Sequence, residues 1–403
     1  MVLIAFAAIL LVDIVMIFLG TFTHEPTYGM HYNQEKVKQL QQEQSRFAGV
    51  IDDAWIQRFK DTESAILNDP ANQVSAEERE KITQELLAEG LSEEAINSPN
   101  NAWRFVKPEV LGSREYQCLE EPSGASRFYE IADMKGKEVA EYYRSTYSGE
   151  KGEALASKAE EMYGYMSSGY QAYYDYDWGW TRLHAMQTVL PFTVGVFLLI
   201  VLSPLFSSEY DKRTDSLLLS AKYGKNKLIK AKIATSFLIA IFSWLLIQIV
   251  NIVLVFSLFG IEGAKSFVQT WGEKASPYAF TFLTSYLAVT AMSFLGLLLL
   301  TSMIILISSR CKNAFLSLIV GAVITLLATP HLDVLSSDTV NKILMFHPAK
   351  ILSGVDQFKT FEAFYLFGKV IMLPVVVAIV AVILSVLMVI AAYFSFKRHQ
   401  VGN

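Results

Sequence analysis

The chain has 403 residues, 52% of them hydrophobic and only 18% charged, with a formal net charge of −5. Soluble domains average about 45–50% apolar and about 25% charged, so the composition leans towards a membrane protein, and a net charge this small offers no argument for a nucleic-acid partner. The average conceals two unlike parts: His24 to Arg182 carries 29 acidic and 17 basic side chains, a net of −12, whereas the remainder carries 10 and 17, a net of +7.

A bilayer-spanning helix needs about 20 mostly apolar residues, and Val2 to Phe22 is the first such run. No basic segment leads it and no small-residue cleavage site ends it, so a retained span is predicted rather than a signal peptide. Asp13 lies in its middle. Ionisable groups inside a bilayer are functional candidates by default. A proton or cation relay would want a chain of them, and only Gln248 and Asn251 in the third span add polarity. The alternative is that Asp13 hydrogen-bonds a neighbouring helix.

Residues 23–184 read as an acidic, water-exposed and mainly helical domain. Val37, Leu40, Phe47, Ile51, Trp55 and Phe59 fall near a helical stripe. Ser75 is placed to cap a helix over Glu77 to Leu91, and Glu153 to Tyr173 is a further helical candidate. Pro70, Pro99, Pro108 and Pro122 punctuate the middle. Tyr163, Tyr165, Tyr170, Tyr173, Tyr174, Tyr176, Trp178 and Trp180 crowd just before the second span. Amphipathic rings favour the headgroup region, so an interfacial belt is expected in preference to a substrate-stacking surface.

Five more apolar runs follow within residues 185–403: Ala185 to Phe206, Ile233 to Phe259, Phe280 to Ile307, Ala314 to Leu332 and Lys369 to Phe396. Lys212, Arg213, Lys222, Lys225, Lys227, Lys230 and Lys232 lie between the second and third, Arg310 and Lys312 between the fourth and fifth, and Lys397 and Arg398 after the sixth. Lys and Arg in short loops mark the cytoplasmic side. The expectation is an all-α polytopic membrane protein, with six spans, both termini inside and residues 23–184 outside. His347, beside Pro348 in the outer loop 333–368, reads as a turn residue of a re-entrant or interfacial segment. Cys118 is expected outside and Cys311 inside, which excludes a disulfide between them, and two thiols do not make a tetrahedral metal site.

No Gly-x-x-x-x-Gly-Lys-Ser/Thr phosphate loop, His-Glu-x-x-His helix or Gly-x-Ser-x-Gly elbow occurs. No catalytic residue, metal or cofactor is therefore assigned to the chain.

The most distinctive stretch is Phe206 to Ile233, within a loop read as 207–232. Glu209 leads, Arg213-Thr214 follow, and Leu217-Leu218-Leu219-Ser220 form an apolar patch before Gly224-Lys225, Lys227 and Lys232. A solvated loop has no use for three leucines; a membrane-surface or docking helix does. This pattern resembles the permease subunits of type-two ABC exporters, whose loop after the second span reads Glu, three residues, Gly-Thr, a Leu-Leu-Ser run, a turn and a basic residue, with a Lys seven positions on. The Lys225 to Lys232 spacing fits, and Tyr176 to Trp180 is similar to Firmicutes members. Arg213 stands where the family has Gly and Lys222 where it has Pro. The family also begins with an amphipathic cytoplasmic helix, and here the sequence opens in the span.

The resemblance implies an exporter permease of a bacterial plasma membrane, working with separate cytoplasmic ABC ATPase subunits, which carry ATP and Mg, and with a second permease subunit, identical or homologous. It implies ATPase coupling through Glu209, Arg213, Thr214, Leu217, Leu218, Leu219, Lys225 and Lys227. Relatives suggest an amphipathic or peptide antimicrobial as the substrate, exported or resisted. The alternative is a membrane-anchored sensor whose outer domain binds a ligand and signals through a cytoplasmic partner. A secondary transporter would carry more intramembrane charge than Asp13.

Overall fold

A computed structural model of the chain describes residues 2–19, 34–113, 116, 119–220, 223–271, 276–326 and 338–398. The fold is mostly helical. Helix α1 spans Val2–Leu19. Helices α2 (Gln34–Ser45), α3 (Asp53–Leu67) and α4 (Ala76–Ala88) follow. Asp52 caps α3 by accepting from the Trp55 amide at 2.8 Å, and Ser75 caps α4 as expected, accepting from Glu78 at 3.2 Å. The expected stripe is divided: Leu40 lies on α2, while Phe47, Ile51, Trp55 and Phe59 belong to a turn, a short strand β1 (Gly49–Val50) and α3. All five are buried.

Helices α5 (Phe128–Thr146) and α6 (Glu150–Ser168) form an antiparallel hairpin. The helix predicted to reach Tyr173 ends at Ser168, and Tyr173–Tyr174 forms β2, antiparallel to β1. These elements enclose a core of Phe47, Ile51, Trp55, Phe59, Tyr143 and Tyr163, among others. Phe267 and Phe361 belong to the same core although they come from loops between later helices. The acidic part is thus completed by residues far along the chain.

Helix α7 runs Trp178–Asp211, beginning before the predicted Ala185. Its ladder widens to a π turn at Pro191–Gly195, where the proline supplies no amide hydrogen. A short helix α8 (Asp215–Ser220) precedes α9 (Asn226–Phe259). Helix α10 covers Phe282–Arg310 and α11 covers Ala314–Leu326. Short helices α12 (Asp338–Leu344) and α13 (Pro348–Ser353) lead to a hairpin of β3 (Ala363–Leu366) and β4 (Lys369–Met372), then to α14 (Leu373–Lys397). The predicted sixth run is therefore corrected at its start: Lys369–Met372 is strand, and the helix begins at Leu373 with Pro374 in its first turn.

Four helices, α7, α9, α10 and α14, are long and apolar enough to cross a membrane. Each satisfies its backbone within one segment, as a bilayer interior demands. Helices α1 and α11 are apolar but shorter; residues 20–22 and 327–332 of those two predicted runs lie outside the described residues. Helix α13 lies buried against α10, where Gly296 makes room: a Cβ there would collide with the backbone of Ile351 and Leu352. His347 caps α13 by accepting the Ala349 amide at 3.2 Å, a helix-capping role in place of the expected turn. Cys311 is half-buried just beyond α10, and Cys118 lies outside the described residues.

The crowded aromatics depart from an interfacial belt. Tyr163 and Tyr174 sit in the core of the acidic part and Tyr176 is fully buried; of the cluster, Tyr165 is the conspicuously exposed member. Tyr176 Oη donates to the Phe259 carbonyl at 2.8 Å and Trp180 Nε1 to the Ile261 carbonyl at 2.9 Å. Gly179 permits this approach, since a Cβ would strike the Gly260 carbonyl. The rings clamp the start of α7 to the end of α9.

Candidate functional site

Two places gather polar chemistry on the helical bundle. The first is the end of α7 and the chain that follows it. Phe206 is fully buried there, and Ser308 Oγ on α10 accepts its amide at 2.9 Å while donating to the Ser203 carbonyl at 2.8 Å. One turn on, Glu209 receives Lys232 Nζ from α9, and the same ammonium donates to the Leu205 carbonyl. Lys232 also lies 5.0 Å from the Phe206 ring centre and 6.0 Å from that of Phe396 on α14. Tyr210 Oη donates to the Ser309 carbonyl at 3.2 Å, and Tyr393 Oη to Asn226 Oδ1 at 2.9 Å. Helices α7, α9, α10 and α14 are pinned together at this end.

The chain turns at Arg213, whose φ of 52° is in the left-handed region. Glycine is the residue that enters this region without strain, so an arginine here is held in an unfavourable backbone conformation by the turn around it. The Thr214 amide closes the turn on the Glu209 carbonyl at 3.0 Å. On α8, Leu217 is 73% exposed and Leu218 half-buried, so the three-leucine patch is divided. Leu219 lies in α8 and Lys225 in the π turn Gly224–Leu228; their side chains lie outside the described ones, as does Lys222 altogether. Lys227 is exposed, its ammonium 4.3 Å from the Tyr223 ring centre. The residue absent from the sequence-based set is Lys232. Its spacing from Lys225 was visible, but its ion pair depends on α7 and α9 meeting.

The second place is a polar layer inside the bundle. Ile17 on α1 belongs to an apolar cluster with Leu183, Met186 and Val255, while Ile9 belongs to another with Leu190, Val194 and Ile247. Asp13 lies one turn from each and is fully buried. Asn251 of α9 and Thr193 of the α7 π turn face its carboxyl. Neither reaches hydrogen-bond geometry with it, and among the described residues both carboxyl oxygens and both amide atoms of Asn251 lack partners. Beside them Gln187 and Gln248 exchange amide hydrogen bonds of 3.1 and 3.2 Å. Farther along α7, His184 is held between the Trp180 carbonyl at 2.9 Å and Ser285 Oγ at 3.1 Å. The sequence singled out Asp13, Gln248 and Asn251. It missed Gln187, Thr193 and His184, which look like ordinary residues of an apolar helix until α1, α9 and α10 close round them.

A buried ion pair braces the region beyond α13. Lys350, 4% exposed, contacts Asp356 Oδ2 at 2.9 Å, and Lys359 contacts Oδ1 at 3.1 Å. Burial opposes ionisation of Asp356, but Lys359 and Lys350 together hold its carboxyl below the usual carboxylate range. Among the described residues no group of three or more His, Cys, Asp and Glu side chains is arranged to hold a metal.

No protein-family model, curated protein or solved structure matches the chain.

Proposed function

We propose that the chain is the permease subunit of an ATP-driven exporter and that α8, with the junction beneath it, receives a separate cytoplasmic ATPase. The observation that carries this reading is Leu217: a large apolar side chain, 73% exposed, on a short helix whose base is tied to four long helices. Exposed apolar groups ringed by charge mark contact surfaces, and Lys212, Arg213 and Lys227 supply the charge. The Glu209–Lys232 pair makes the base stiff, so a push on α8 is passed to α7 and α9 rather than absorbed.

In this reading α1 and α11 complete six spans, and the basic segments lie in the cytoplasm. Supporting it, Tyr210 bonds Ser309 and Tyr393 bonds Asn226 at one end of the bundle, whereas the acidic part meets α9 at its other end through Tyr176 and Trp180. ATP and Mg are then the partner ATPase's, a second permease subunit completes the pathway, and the substrate class is an amphipathic or peptide antimicrobial.

The test is Leu217→Asp, with Leu218→Asp beside it. A charge placed in a desolvated contact weakens association, while the long helices are untouched. Co-purification of the ATPase at equal membrane levels of permease is expected to fall at least tenfold for Leu217→Asp, a change of about 1.4 kcal/mol. Undiminished recovery of the ATPase with unchanged transport-coupled ATP hydrolysis would overturn the docking surface.

A further inference from the structure

Asp13 is the point where the bundle departs from ordinary packing. It is 0% exposed, midway along an apolar helix, and among the described residues neither carboxyl oxygen has a hydrogen-bond partner. Asn251 is 1% exposed, and both its amide atoms are also without partners. Thr193, 0% exposed, is the third polar group facing the carboxyl, and its hydroxyl donates to the Val189 carbonyl at 3.4 Å.

The charged and titratable groups on the surrounding helices are engaged elsewhere, exposed or distant. On α7, Arg182 lies near the Trp178 and Phe259 rings, and His184 bonds Trp180 and Ser285. Glu209 pairs with Lys232, and Asp211 is exposed at the helix end. On α9, Lys227, Lys230 and Lys232 stand at the start of the helix, about 28 Å or more from Asn251 at 1.5 Å per residue. Among the described residues, no counter-charge therefore reaches Asp13.

Three states of the carboxyl compete. A bare carboxylate without water or counter-ion is the costliest, because burial of an unpaired charge is opposed far more strongly than burial of a neutral acid. A metal cation answers the charge but wants about 6–8 oxygens in the case of calcium and six for magnesium. The side chains offer two from Asp13, one from Asn251 and one from Thr193, and the helical carbonyls are committed to their own ladders. A neutral acid fits the donor count best. Its O–H donates to Asn251 Oδ1 and its C=O accepts from Asn251 Nδ2, so one small side-chain adjustment partners all four orphaned atoms. Ionised, the same carboxyl leaves an oxygen facing the amide oxygen, acceptor against acceptor.

We propose that Asp13 is a proton-binding site in which the protonated carboxyl pairs with the Asn251 amide and ties α1 to α9. Release passes the proton to a water molecule, leaving a carboxylate and a hydronium ion, and so requires water to enter between α1 and α9. The site binds and releases its proton as those two helices close and part. This inference is independent of the ATPase reading.

Infrared spectroscopy of the full-length protein in lipid nanodiscs tests it. A carbonyl band of a protonated carboxyl is expected at neutral pH, moved by isotope-labelled aspartate and missing in Asp13→Asn. Asn251→Leu is expected to shift the band, because the acid loses its partner, without removing it. Asp13→Asn, which mimics the neutral acid, is expected to retain the wild-type melting temperature. Absence of the band from the wild-type protein would overturn the proposal, and the isotope label makes that reading independent of whether any variant folds. Loss of the band on titration with sodium or calcium would overturn it in favour of a cation site. An unshifted band in Asn251→Leu would overturn the pairing.

Discussion

At Lys232 one ammonium serves three purposes: it neutralises Glu209, satisfies the Leu205 carbonyl and covers the Phe206 ring. Both partners are less than 20% exposed, 18% for Lys232 and 13% for Glu209, so removing one leaves the other poorly solvated. Lys232→Met is expected to cost about 1.5–3 kcal/mol, the range for hydrogen bonds to charged groups, and to lower the melting temperature in detergent; restoring neutrality with Glu209→Gln in the same chain is expected to recover part of it. A double-mutant cycle followed by tryptophan fluorescence measures both. Asp356 makes a prediction of opposite chemical sense. Its folded carboxyl is depressed by Lys359 and Lys350 against the effect of burial, so it contributes stability above the unfolded value near pH 4 and loses it as pH falls through the folded value. The melting temperature of Asp356→Asn is therefore expected to lie below that of the wild type at neutral pH, and the gap is expected to narrow as pH falls below the unfolded value and through the depressed folded one. A gap that widens on acidification would contradict the assignment.

Among the elements, α13 shows how tightly the bundle is built. It is a six-residue helix, too short to hold together alone, and it is buried on α10 because Gly296 lets the two backbones touch. Gly354, with φ of 74°, ends it in the left-handed conformation that only glycine adopts freely. Gly296→Val must push α13 away and is expected to destabilise by about 1–3 kcal/mol, read as a fall in melting temperature with α10 itself intact. The π turn at Pro191–Gly195 is a second such device. It sets Thr193 towards α1, and without it the layer containing Asp13 would lose one polar wall. Neither device is visible in an apolar run, where Pro and Gly read as irregularities rather than as contacts.

For the whole molecule, the acidic part is less autonomous than the charge division between residues 24–182 and the rest suggested. Its core takes Phe267 from the chain between α9 and α10, and Phe361 from the chain before β3; Tyr143 Oη reaches the Phe361 carbonyl at 3.5 Å. Residues 24–182 expressed alone are expected to give a helical circular-dichroism spectrum yet bind a hydrophobic dye, and supplying the full chain is expected to abolish that binding. A cooperatively folded fragment that ignores the dye would show that the later loops are dispensable. Topology has its own check. A membrane-impermeant thiol reagent applied to intact cells is expected to spare Cys311, which lies at the basic end of the bundle. Labelling of Cys311 would reverse the proposed orientation.

Read without coordinates, the sequence already determined the helical class, four long apolar helices near their final places, the Ser75 cap and the division into acidic and apolar parts. These follow from hydrophobicity and local hydrogen bonding, which act over a few residues and leave their mark on composition and spacing. It also pointed to Asp13 by its rarity in an apolar run, and to Glu209 by its place at the head of the distinctive loop after the second span. The partners were decided by tertiary structure alone. Lys232 finds Glu209 across 23 positions, Gln187 finds Gln248 across 61 and Tyr176 finds the Phe259 carbonyl across 83. The aromatic run before α7 became core and clamp rather than belt for the same reason: burial depends on which distant segment arrives, and a local pattern of rings carries no record of that.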